Sequence, residues 1–154
     1  MRQSWEKVFM KFLVELNDPI VKRAAYLVEK HYADDGFRQL LDGIRFNHTP
    51  FVGTQCFDMM KMNLDPAIIK ILPYQTFNPW SSVIGYSVGD DIFVNTRKLG
   101  FPLNDRVANI WHETSHAAGF AHKGNRVNEY NLKTFPYLGS TIFIKYLKSI
   151  GVLE

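Results

Sequence analysis

Residues 111–122 read Trp111-His112-Glu113-Thr114-Ser115-His116-Ala117-Ala118-Gly119-Phe120-Ala121-His122, and this stretch organises the reading of the whole chain. His112 and His116 are four apart, so on a helix they stand one turn apart on the same face. Two imidazoles placed this way share one zinc ion. Glu113 lies about 100° around the helix from His112 by the 3.6-residue repeat. It therefore reaches a water at the metal without being a ligand. A catalytic zinc takes three protein ligands and keeps one position open. His122 is the third candidate, provided the chain turns sharply at Gly119, and glycine allows such a turn. Three of the five histidines fall in this stretch at ligand spacing, so unrelated histidines are the poorer reading. His31 and His48 show no partner pattern and read as structural or surface residues. Glu129 is a rival third ligand, but His122 already stands at the fitting offset.

Working outward, the helix that carries the histidines has clear limits. Asn104 or Asp105 is placed to cap its start, after Pro102. Val107, Ile110, Trp111, Thr114 and Ala118 form its inward stripe, and Gly119 suits the left-handed residue that ends a helix. Upstream, Ile68–Tyr74 reads as a strand. Ser82–Val88 and Asp91–Thr96 read as a hairpin joined at Gly89-Asp90. In the second of these, Ile92 and Val94 alternate with Phe93 and Asn95, and either face could be the buried one. The Pro73–Trp80 segment borders a cleft or packs on the core. The first third reads as helices. Trp5, Val8, Phe9, Phe12, Leu13 and Leu16 recur at helical spacing. Asp18 caps a second helix with Pro19 at its first position, and Ile20, Ala24, Leu27 and Val28 mark its buried stripe. A short third helix is expected over 34–41 and a last one over 141–149. Helices, then strands, then helices make an α+β domain.

The bulk numbers agree with one folded domain. The chain has 154 residues, 46% hydrophobic and 21% charged, which is enough for a core. Its net charge is +3 and its pI about 9.0, but the cations are scattered and no dense basic tract marks a nucleic-acid partner. Cys56 is the lone cysteine, so no internal disulfide forms, and it reads as a small buried apolar residue. The N-terminal residues lack the apolar run of a signal peptide, and no stretch approaches a membrane span. A cytoplasmic location is the expectation for the sequence as it stands, and a secreted or periplasmic one if a signal has been trimmed from it.

The complete string His-Glu-x-x-His-x-x-Gly-x-x-His over His112–His122 resembles the zinc-binding motif of the metzincin metallopeptidases. It is far more specific than a bare HExxH, because a glycine and a third histidine must also fall at set offsets. The resemblance implies a zincin-like α+β fold. Its zinc helix would lie below a small mixed sheet, with an upper part over 1–118 and a short lower part over 119–154 of one domain. It also implies an edge strand that pairs with an extended peptide or protein substrate, for which Asp91–Thr96 is the natural candidate. The chain departs from the pattern in one respect: no methionine follows Met62, so the methionine turn beneath the metal is missing. The Tyr130–Gly139 segment is the expected substitute floor. Some metzincins place a tyrosine near the zinc, a part Tyr137 could take here, with Tyr130 as competitor.

The expected activity is hydrolysis of peptide or amide bonds by a zinc-activated water, with Glu113 as general base. The alternative is an RNA-processing hydrolase. A bacterial endoribonuclease family uses three histidines at His-x-x-x-His-x-x-Gly-x-x-His, and the chain resembles it too. That family does not need the glutamate, and its third histidine follows an aspartate where Ala121 stands. A purely structural zinc ranks last, since structural sites close their shell with four protein ligands.

Overall fold

The computed structural model describes residues 9–154. Strand β1 (Lys11–Val14) comes first, followed by helices α1 (Pro19–His31), α2 (Asp35–Leu40) and α3 (Gly53–Leu64). Three strands follow: β2 (Ile68–Tyr74), β3 (Gly85–Val88) and β4 (Asp91–Asn95). Helix α4 (Leu103–Ala117), a π-helical turn (Phe135–Gly139) and α5 (Ser140–Ser149) complete the chain. Over the described residues the architecture is a mixed α/β fold of five α-helices and one small four-stranded mixed sheet. No helix among the described residues is long and apolar enough to cross a membrane.

The expected helix over the N-terminal apolar residues is corrected in its described part, and Trp5 and Val8 lie outside the described residues. Residues 11–14 form β1, paired in parallel with β2 from Lys11 opposite Ile68 to Val14 opposite Ile71. Met10, Phe12, Val14 and Leu16 are more buried than Lys11, Leu13 and Glu15 between them, which is a two-residue period. Over so short a run the same residues satisfy either period. The exposed edge of β2 decides which one wins, because it offers β1 its ladder of hydrogen bonds.

Helix α1 starts as expected. The Asp18 side chain accepts from the Val21 amide at 2.8 Å, with Pro19 at the first helical position. Helix α3 was not anticipated, although Cys56, Phe57, Met60 and Leu64, buried at helical spacing, carry its signal. Helix α4 begins slightly earlier than expected. Pro102 precedes its first residue and no side chain caps it, so Asn104 and Asp105 sit inside the first turn. There Asp105 complements the helix dipole, and the Asn104 amide donates to the Glu154 carbonyl at 3.1 Å.

The sheet order is β1-β2-β4-β3, with β3 antiparallel and the rest parallel. The hairpin is therefore as expected, but β4 is not an edge. It is paired on both sides, and its Ile92 and Val94 are fully buried. The edges are β1 and β3, and β3 is the one beside α4, which corrects the assignment of the substrate-pairing edge to Asp91–Thr96. Helices α1 and α4 pack together against one face of the sheet, enclosing Met10, Leu27, Ile69, Ile71, Val107 and Ile110. Behind α4, Trp111 meets Phe37, Phe135 and Phe143 at ring separations of 6.0, 5.1 and 6.0 Å. This aromatic wedge holds the histidine helix between the sheet and the C-terminal segment.

Candidate metal centre

Helix α4 presents His112 and His116 on one face, as their spacing requires. It ends in a closed turn: Gly119 has φ 99°, the Phe120 amide donates to the Ser115 carbonyl at 3.1 Å and the Gly119 amide to the His116 carbonyl at 2.9 Å. This is the left-handed helix stop that favours glycine. The chain then doubles back and returns His122 to the other two histidines.

The three Nε2 atoms form a triangle with edges of 3.1 Å (His112–His116), 3.2 Å (His116–His122) and 3.3 Å (His112–His122). A zinc ion at 2.0–2.1 Å from each nitrogen with tetrahedral angles would hold them about 3.3–3.4 Å apart. The orientation of the rings agrees with the spacing. His116 Nδ1 donates to the Phe120 carbonyl at 2.7 Å and His122 Nδ1 to the Gly124 carbonyl at 2.6 Å. His112 has the Pro136 backbone as its partner. A carbonyl oxygen only accepts, so in the neutral rings of His116 and His122 the proton is on Nδ1 and a lone pair is on Nε2. Lone pairs converging at such distances repel unless a cation lies between them. Burial and the neighbouring imidazoles hold His112 down at about 3, and burial lowers His116 as well, so these two rings stay unprotonated at neutral pH. The three histidines together can hold one metal ion.

Around the triangle lies a cleft of about 1030 Å³, walled by the face of α4 on one side and by residues 82–90 on the other. Strand β3 runs alongside α4. Gly85 stands so close to Asn109 that a Cβ there would come within 3.1 Å of its Oδ1, and two residues on Ser87 lies beside Glu113. Glu113 lines the cleft yet is only 6% exposed. Burial pushes its carboxyl up to about 7, opposed by Ser87, which suits a group that takes and returns a proton near neutrality.

The floor is the π-helical turn 135–139, within the segment expected to replace the methionine turn. Gly139 lies directly on Trp111, and a Cβ there would come within 2.4 Å of the indole ring. Tyr137 projects from this turn into the cleft, with its ring 4.5 Å from His112 and 5.0 Å from His122. Burial and the nearby Glu113 raise its pKa, so its hydroxyl stays a donor. Tyr130 faces His48 at 6.3 Å instead, and Glu129 is exposed with Lys133 at 3.7 Å. His31 pairs with Asp34 at 2.7 Å, far from this site in its role. Phe77 and Trp80, from the Pro73–Trp80 segment, project into solvent; the cleft wall begins only at Ser82.

Sequence reasoning missed Ser87 and Asn131. Asn131 is fully buried beneath the loop that carries His122. It accepts from the Lys123 amide at 2.9 Å and donates to the carbonyls of Lys123 (2.7 Å) and Arg126 (2.8 Å). No local pattern flags an asparagine whose partners are all backbone atoms. No protein-family model, curated protein or solved structure matches the chain.

Proposed function

We propose that this protein is a zinc-dependent peptidase of zincin-like build that cleaves peptide bonds in the cleft between β3 and α4. The observation that carries this reading is the Nε2 triangle with a buried glutamate beside it on the same helix. The long histidine helix under a mixed sheet, the antiparallel edge strand along the cleft and the chain reversal at Gly119 support it further. When bound, zinc would supply Lewis acidity toward a carbonyl oxygen and lower the pKa of a water.

The residues of the chain divide the remaining work. His112, His116 and His122 hold the ion, with His116 and His122 oriented by the backbone carbonyls of Phe120 and Gly124. Glu113 takes a proton from the attacking water and passes it to the leaving amine. Ser87, beside Glu113, favours its charged form. Tyr137 keeps its proton and offers a hydrogen bond to the oxygen on which negative charge develops. Among the described residues the charged side chains lining this cleft beside the histidines are Asp90, Asp105 and Glu113, with Lys123 and Arg126 confined to the adjoining depression, so the cleft itself favours a peptide over RNA. A phosphodiester backbone needs the opposite charge.

The test is Glu113→Gln. The variant should bind the metal with the stoichiometry of the wild type and keep its fold while hydrolysis of a peptide substrate falls by several orders of magnitude. Undiminished hydrolysis would remove Glu113 from the mechanism.

A further inference from the structure

We infer that the depression beside His122 is a carboxylate-binding subsite that receives a terminal or side-chain carboxylate of the peptide lying in the cleft; the inference rests on the peptidase reading. The depression measures about 600 Å³ and is walled by Lys123, Arg126, Asn125, Asn128 and Tyr130. It shares Gly124 and Asn125 with the cleft, so one ligand can occupy both.

Its donors are well matched to a carboxylate. Neither Lys123 nor Arg126 has an acidic partner within ion-pair distance among the described residues. An arginine fork and an ammonium both favour carboxylate oxygens, and two asparagine amides and a phenol add uncharged donors. The loop is also held in place. The Asn131 side chain grips the backbone of Lys123 and of Arg126, and its backbone N–H donates to Asn128 Oδ1 at 2.8 Å. The two cations therefore project from fixed backbone. The cleft beside them is acidic, through Asp90, Asp105 and Glu113. A carboxylate on the substrate is attracted by Lys123 and Arg126. Because the Gly124 carbonyl orients His122, the occupant of the depression lies next to the metal centre.

The experiment measures binding first, with cleavage by the wild type as a separate readout. Zinc-loaded Glu113→Gln protein is titrated into three dansylated alanine pentapeptides, followed by fluorescence anisotropy at low salt. One ends in a free carboxylate, one in an amide, and one in an amide with an internal glutamate. The carboxylate peptides should bind about tenfold tighter than the neutral amide, as a charge-assisted pair gives. Lys123→Ala/Arg126→Ala, at exposed positions and checked by circular dichroism, should erase that difference and leave the neutral peptide unaffected. A response to the free terminus alone assigns the subsite to the α-carboxylate; a response to glutamate alone assigns it to a side chain. Equal affinities for all three peptides, or a preference that survives the double substitution, would overturn the inference. Charge-dependent binding by a wild type that cleaves nothing would instead sink the peptidase reading and leave the subsite standing. Cleavage indifferent to substrate charge would do the reverse.

Discussion

At the scale of single residues, the centre rests on three nitrogens and the carbonyls behind them. His122→Ala leaves two ligands, and elemental analysis should then find metal well below the wild-type content after gel filtration. Tyr137 touches two of the histidine rings, and its raised pKa keeps it a neutral phenol, a poor ligand for a metal. Tyr137→Phe should therefore retain metal while kcat falls by about 10²–10³, the loss seen when one oxyanion donor is removed. An unchanged kcat would assign Tyr137 to packing alone. Cys56 behaves as a buried apolar residue. Burial pushes its thiol up to about 11, so it holds its proton and resists alkylation at pH 8 in the native protein. Rapid native labelling would contradict the packing described around it.

At the scale of elements, the turn 135–139 and the loop 122–128 determine whether the histidines meet. Gly139→Ala forces a methyl group into the Trp111 ring. A rigid indole, fully buried, has no room to yield. The substitution should cost about 1–3 kcal/mol, as overpacking does, and it should weaken metal binding because the same turn carries Tyr137 and Pro136. Denaturant unfolding and metal titration measure the two effects separately. Asn131→Ala strips the support from the His122 loop and leaves buried backbone groups without partners. A loss of about 2–3 kcal/mol is expected, again with weaker metal binding. These positions could not be picked out in the sequence. Their importance lies in contacts between segments that only folding brings together, whereas the Asp18–Pro19 helix start and the Gly119 stop were legible because caps act within a few residues.

At the scale of the whole molecule, metal and pH act on the same folding equilibrium. The three histidines join the end of α4 to the C-terminal loop, so a metal held by them would bind the folded chain alone and stabilise it. At a free metal concentration a hundred times Kd the gain is about 2.7 kcal/mol. Chelation should lower Tm, and zinc should restore it. The tyrosines set the alkaline limit. Burial and a hydrogen bond to Asp34 push Tyr146 up to about 12, and burial and Asp65 raise Tyr32 as well. A raised tyrosine keeps its proton in the folded state while the unfolded chain ionises near pH 10. Its stabilisation is complete below that value and is lost as pH rises from about 10 toward 12. A urea midpoint that stays constant across that window would contradict the burial of both hydroxyls.

What the sequence alone determined is local. The spacing His112–His116, Glu113 between them, Gly119, His122, the strand over 68–74 and the hairpin at Gly89-Asp90 all follow from periods and turn chemistry within a few residues. Tertiary structure decided the rest. It made residues 11–14 a strand, because β2 offered an edge, and it placed β3 at the margin of the sheet, because β4 pairs on both sides. It also turned three histidines into a converging set. Spacing put two of them on one face of a helix, but the Nδ1 partners that aim the His116 and His122 rings are the backbone carbonyls of Phe120 and Gly124. Backbone carbonyls occur at every residue, so no pattern of side chains could have singled these out.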